Sequence, residues 1–220
     1  MTEIIGREFE KEKLNHLFES RDPEFIAIYG RRRVGKTFLI SEFFKNKGLF
    51  LTVTGQYKAS IQQQLRNFTA SLSKTFIKGI EIQQPSTWRD AFELLQKVIS
   101  QKKLVKNKII LFFDEVPSLS SKRSGFISAL EYFWNTWASQ QNLIKLIVCG
   151  SAASWMIQNI VNSKGGLHNR ITASIRLLPF DLLETDNFLN HRRLKLNQRQ
   201  ILEIYMIMGG IPHYLKQVKK

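Results

Sequence analysis

An α/β fold built on a parallel sheet is predicted for this 220-residue chain from three observations. Phe25 to Tyr29 is a short apolar run that breaks at Gly30 and resumes as a helix, giving the order strand, loop, helix. Ile109 to Phe113 and Leu143 to Cys149 read as strands buried on both faces, as in a sheet covered by helices. These two end abruptly in Asp114-Glu115 and in Gly150-Ser151, and open α/β sheets carry their chemistry at such strand ends.

Length and composition bound the remaining choices. The chain can bury a proper core as one large domain, or as one domain with a small appendage. A lone cysteine, Cys149, excludes an internal disulfide framework and suits a reducing compartment. Met1 to Lys13 is too charged for a signal peptide, and no apolar run has membrane-spanning length, so a soluble cytoplasmic protein without a membrane partner is expected. The 33 Lys and Arg against 18 Asp and Glu give +15, with a pI near 10. Such a balance favours a polyanionic partner, nucleic acid being the candidate, and a solvated basic face explains it as simply. The densest patches are Lys102 to Lys108 and His191 to Arg199.

In chain order, Phe9, Leu14, Leu17 and Phe18 give Met1 to Ser20 an amphipathic helix ahead of the first strand. Arg21 to Glu24 is a turn around Pro23. Gly30, Gly35, Lys36 and Thr37 then match G-x-x-x-x-G-K-[ST], a loop that curls its backbone N–H groups around a polyphosphate. The two glycines stand where such a loop needs positive φ and close approach. The candidate contacts are Gly30, Arg31, Arg32, Arg33, Val34, Gly35, Lys36, Thr37 and Phe38. Lys36 is placed to reach the β- and γ-phosphates, Thr37 to offer a hydroxyl to Mg²⁺, and the helix opening there to aim its positive end at the anion.

Lys45 to Gly48 stops that helix, and Leu49 to Thr54 is rich enough in β-formers to be a strand, ended by Gly55. Ile61, Leu65, Phe68, Leu72 and Phe76 recur at three or four residues, predicting a helix within Gln56 to Gly79. Pro85-Ser86-Thr87 caps a helix over Trp88 to Ile99. The strand from Ile109 delivers Asp114, placed to hold Mg²⁺ opposite Thr37, and Glu115, placed to orient and deprotonate an attacking water. A helix over Ser124 to Ser139 carries Phe126, Phe133, Trp134 and Trp137, which read as core rather than as a base-stacking platform. Ser151 is a candidate contact for the γ-phosphate or the water, and a helix cap near Ala153 accounts for it equally well. Arg170 is an isolated arginine after a glycine pair, by default a surface residue. Ala173 to Leu178 is the last strand, and Asn187 to Gln217 is a helical tail with a Gly209-Gly210-Ile211-Pro212 turn.

Taken together, IIGREFEKEKL, YGRRRVGKT, LFFDEVPSL, LIVCGSAASWM, Arg170 to Pro179 with FDLLE after it, and YMIMGGIPHYL resemble the prokaryotic ATPase family best known from archaea. That family belongs to the P-loop NTPases near the AAA+ and STAND groups. The resemblance implies a five-stranded parallel sheet sandwiched by helices, with the Walker B strand separated from the phosphate-loop strand by another. It implies an ATPase domain over residues 1–180 and a helical lid over 181–220. It also implies ATP and Mg²⁺ as ligands, Arg7 on the adenine side, Pro212 and His213 in the lid, Ser151 as a sensor and Arg170 as an arginine finger, which makes a homo-oligomer a candidate assembly. Members usually continue into a winged-helix domain, so a further effector domain or a partner protein is expected.

The leading expectation is an Mg²⁺-dependent ATPase, with Glu115, Lys36, Ser151 and Arg170 as the catalytic set. An ATP-gated adaptor without turnover is the alternative, and it would not need the Glu115 base. A phosphoryl-transferring kinase ranks below both, since such enzymes usually lack a carboxylate directly after the Walker B aspartate.

Overall fold

The computed structural model describes residues 3–77, 82–101, 107–163 and 165–219. Strands β1 (Glu24–Tyr29), β2 (Leu49–Thr54), β3 (Ile109–Asp114), β4 (Ile144–Gly150) and β5 (Ala173–Arg176) form one sheet in the order β2-β3-β4-β1-β5. All four neighbouring pairs are parallel, and β4 lies between β3 and β1 as the resemblance implies.

Alternation along β3 shows how both faces are used. Ile109, Leu111 and Phe113 pack toward α3 (Ile61–Leu72), α4 (Trp88–Gln101) and α6 (Phe126–Thr136), whereas Ile110 and Phe112 pack toward α1 (Glu8–Glu19) and α2 (Lys36–Phe43). Phe126, Phe133 and Trp134 of α6 are buried, Phe126 against Trp88 and Phe92, so these aromatics are core.

Helix α3 is shorter than its apolar period suggests. Ser60 caps its start by accepting the Gln63 N–H, and after Leu72 a wider turn over Ser73–Ile77 carries Phe76 into the core. Gly79 of the expected helix, and Lys102 to Lys106 of the expected basic patch, lie outside the described residues. Short helices α5 (Val116–Leu119) and α7 (Ala153–Met156) follow β3 and β4 directly.

Beyond β5 the chain forms α8 (Leu182–His191), α9 (Gln198–Met208) and α10 (Pro212–Leu215) around a small core of Phe180, Leu189, Leu194, Ile201 and Leu215. Helix α8 starts ahead of Asn187 because Asp181 and Glu184 form a reciprocal capping box. Phe180 ties this unit to the sheet edge, its N–H donating to the Gly210 carbonyl at 2.8 Å. Gly210 is required there: its φ is 65°, and a Cβ would stand 2.0 Å from the Phe180 carbonyl oxygen.

Lys145, inside β4, has no exposed surface, and its ammonium donates to the carbonyls of Ser20 (3.0 Å) and Asp22 (2.7 Å) beyond α1. Burial pushes its pKa down to about 8, with Glu24 opposing the shift and Lys108 adding to it. The unfolded amine titrates near 10.4, so from about pH 8 upward the unfolded chain binds the extra proton and stability rises with pH. The neutral amine still has two N–H donors for the two carbonyls. Urea unfolding should therefore show wild type gaining on Lys145→Met between about pH 8 and pH 10, and parallel profiles would refute this.

Candidate functional site

The C-terminal edge of the sheet carries a cavity of about 720 Å³ between the loop after β1 and the α8–α10 unit. Gly30 and Gly35 shape the loop for different reasons. A Cβ on Gly30 would come within 2.2 Å of the Leu177 carbonyl oxygen, because the loop crosses the end of β5 there. Gly35 has φ 96° and open space beside it, so its backbone can face a ligand directly.

Lys36 opens α2 and is buried, its Nζ donating to the carbonyls of Gly30 (2.9 Å) and Arg31 (3.0 Å). An ammonium has three donors, so these bonds fix its position and leave one for an anion. Thr37 Oγ1 donates to Asp114 Oδ2 at 2.7 Å, joining the loop to the end of β3. The hydroxyl and carboxylate are hard oxygen donors of the type Mg²⁺ takes.

Glu115 follows in a left-handed conformation, φ 49° and ψ 48°, that non-glycine residues rarely adopt. Its N–H donates to Asp114 Oδ1 at 2.9 Å, while its Oε2 accepts the Ser151 hydroxyl at 3.0 Å and lies 3.4 Å from the Ser151 N–H. Ser151 thus reaches the cavity through Glu115, which itself lines it. Beneath this site, burial beside Asp114 pushes the Cys149 thiol well above its usual range, so it stays protonated.

Arg7 forms the far wall. Its guanidinium lies 4.5 Å from the Phe180 ring centre and donates to the Val34 carbonyl at 3.2 Å, and its N–H donates to Glu184 Oε1 at 2.8 Å. Arg33, with φ 70°, crosses to the other side, where it donates to the Tyr214 hydroxyl at 3.2 Å. Arg32, Val34, Phe38, Pro212 and His213 also line the cavity. Among its lining residues six Lys and Arg face two carboxylates, Glu3 and Glu115, which suits a multiply charged anion.

Arg170 is not brought to this cavity. It is exposed in the turn before β5, two residues from Thr172, whose N–H donates to the Phe25 carbonyl at the start of β1. That is the opposite edge of the sheet, roughly 15 Å of strand from the phosphate loop. Conversely, Ile4, Ile5, Phe180, Phe188, Arg192 and Lys216 line the cavity without having been singled out by sequence. The usable signal was Phe180 placed directly after the last strand, next to the Asp181 cap.

A family model described as an ATPase domain predominantly from Archaea matches residues 4–218. An uncharacterized protein of Methanocaldococcus jannaschii is 29% identical over 218 residues, 98% of this chain, which spans 44% of that relative's length. An uncharacterized ATP-binding protein of the same organism is 44% identical over 44 residues, 20% of this chain and 75% of the relative. Among solved structures, a Walker-type ATPase of Pyrococcus abyssi superposes with a TM-score of 0.71 at 20% identity, covering 96% of this chain and 65% of that one. The ORC2 protein of Aeropyrum pernix, solved as ADPNP-ADP complexes, gives 0.66 at 17% identity over 90% and 56% of the two chains. Both likenesses are of fold.

Proposed function

This chain belongs to the family of ATPase domains found predominantly in Archaea, and from that premise we propose that it hydrolyses Mg-ATP and uses the cycle to reset a conformational switch. The observation that carries the reading is convergence: Lys36 and Thr37 at the start of α2 and Glu115 after β3 line one cationic cavity, and Thr37 is bonded there to Asp114 at the end of β3. Residues 1–180 are the ATPase core in this reading, and 181–220 the lid.

Loop amides and Lys36 bind the phosphates. Thr37 and Asp114 would hold Mg²⁺, which would supply positive charge to the phosphates. Glu115, oriented by Ser151, takes the proton of the attacking water. Arg7 and Phe180 enclose the base side, and Arg33 links the phosphate loop to the lid through Tyr214. No helix of the described residues is long and apolar enough to cross a membrane. The net charge of +15 adds nucleic acid as a proposed ligand of the switch.

A steady-state phosphate-release assay, with Mg²⁺ or EDTA and with or without DNA, tests this. Mg²⁺-dependent turnover supports the enzyme, whereas tight ATP binding with no turnover in any condition leaves an adaptor. Arg170, remote from its own chain's cavity, acts in this proposal on the nucleotide of a second copy. Turnover per chain should then rise with protein concentration, and Arg170→Ala should remove that rise without changing ATP affinity. A concentration-independent rate, unaltered by the substitution, would exclude the role.

A further inference from the structure

Helix α3 and the loop before it carry cations without carboxylates. The sequence has no Asp or Glu between Glu42 and Glu81, and six Lys and Arg fall in that interval. On α1, α4 and α9 a cation is met by a carboxylate one turn away, Lys11 by Glu8, Arg89 by Glu93 and Arg199 by Glu203. Arg66 and Lys74 have no carboxylate partner among the described residues. They stand in one exposed row, Gln62, Arg66, Ala70 and Lys74, which runs at every fourth residue from α3 into the wider turn after it. The two cations are about 12 Å apart along the helix.

The row begins beside an exposed aromatic. Tyr57, in the loop after β2, is 74% exposed. Lys58 next to it has φ 58°, and its ammonium lies 5.4 Å from the Tyr57 ring centre, so a ring and a cation are presented together. This loop is braced from two sides. Gln64 is buried, its Oε1 accepting the Gln56 N–H at 3.1 Å and its Nε2 donating to the carbonyls of Gln56 (2.7 Å) and Ser118 (3.3 Å). Gly55 donates its N–H to the Asp114 carbonyl at 2.8 Å, and a Cβ there would stand 2.4 Å from the Glu115 carbonyl oxygen. The Tyr57 loop is thus held against the backbone of Asp114 and Glu115, while Tyr57, Lys58, Arg66 and Lys74 themselves lie outside the nucleotide cavity.

We infer that this face binds single-stranded nucleic acid, with a base stacked on Tyr57 and backbone phosphates on Lys58, Arg66 and Lys74. The inference rests on the reading of nucleic acid as a ligand of the switch, and gives that ligand a place. Charge complementarity argues for a polyanion, since a cationic row without carboxylates releases counterions on binding and repels nothing. The ring argues for unpaired bases, whose faces are free to stack on an aromatic side chain. Gln62 adds an amide to the same row, able to bond phosphate or sugar oxygens. An anionic lipid surface fits less well, because the exposed row of α3 holds no apolar residue larger than Ala70 to bury in it.

Fluorescence anisotropy of a labelled oligothymidylate, titrated with the full chain across a salt series, reads this surface. Wild type should bind with an affinity that falls as salt rises. Tyr57→Ala should weaken binding about tenfold with the salt slope unchanged, since it removes stacking and no charge. Arg66→Gln and Lys74→Gln should each flatten the slope of log Kd against log salt by about 0.7, the loss of one phosphate contact. A blunt duplex of equal charge should bind more weakly than the single strand. Absence of binding at low salt removes nucleic acid as a ligand and this face with it. Binding that ignores all three substitutions overturns this face while leaving nucleic acid a ligand elsewhere on the chain. A duplex bound as tightly as the single strand, or equal competition by polyglutamate, would overturn the assignment of a single-stranded partner.

Discussion

Glu115→Gln is expected to lower ATP turnover by about a hundredfold or more while Mg-ATP still binds. The substitution keeps size and shape, and a glutamine oxygen can still accept the Ser151 hydroxyl that now reaches Glu115 at 3.0 Å. What is lost is the capacity to take a proton. The left-handed backbone at this residue gives the same forecast another footing, since strained positions persist where the surroundings fix them and cluster at sites of chemistry. Asp114→Asn should behave differently, weakening the Thr37–Asp114 donor pair and impairing Mg-ATP binding and turnover together. Phosphate release, measured beside a binding titration, separates the two patterns. If wild type turns over and the Gln variant matches it, Glu115 is a structural carboxylate and the proposed chemistry is wrong.

How much of this was legible beforehand depends on whether the signal was local. The strand runs stood out because both faces of β3 and β4 are buried, which leaves no polar alternation to confuse with a helix. The phosphate loop was legible because its whole pattern, Gly30 to Thr37, lies within eight consecutive positions. Long-range geometry left no such trace. Arg7 meets Phe180 across 173 positions of sequence, and nothing near either residue announces the other. Gly30 was read as a point of approach to phosphate, whereas its tightest neighbour is the Leu177 carbonyl of the adjoining strand. Lys145 sits in a run that reads as wholly apolar burial, and only the placement of the chain after α1 supplies the two carbonyls that hold its ammonium. Arg170 shows the same limit, because its edge of the sheet follows from β5 running parallel to β1. The early start of α8 was legible in principle: Asp181-x-x-Glu184 is a capping signature, but the apolar period begins too late to draw attention to it.

Lys36→Ala should raise the Kd for ATP by about a hundredfold, equivalent to about 2.7 kcal/mol, as expected for removing a charge-assisted bond at a partly desolvated anion. Its ammonium is already seated on the Gly30 and Arg31 carbonyls, so wild type loses little side-chain freedom on binding. In the variant those two carbonyls lose their partner and stay close to the bound phosphates, where their negative ends oppose the ligand. The loop amides and the start of α2 remain, so weak binding should persist rather than vanish. Thr37→Ala provides the contrast, since it removes a proposed Mg²⁺ donor and should lower affinity chiefly in the presence of the metal. Calorimetric titration with and without Mg²⁺ distinguishes the two, alongside a thermal melt to show that both variants fold. Wild-type affinity in folded Lys36→Ala would mean that the anion does not sit in this loop, and the reading of the cavity as a nucleotide site would fall with it.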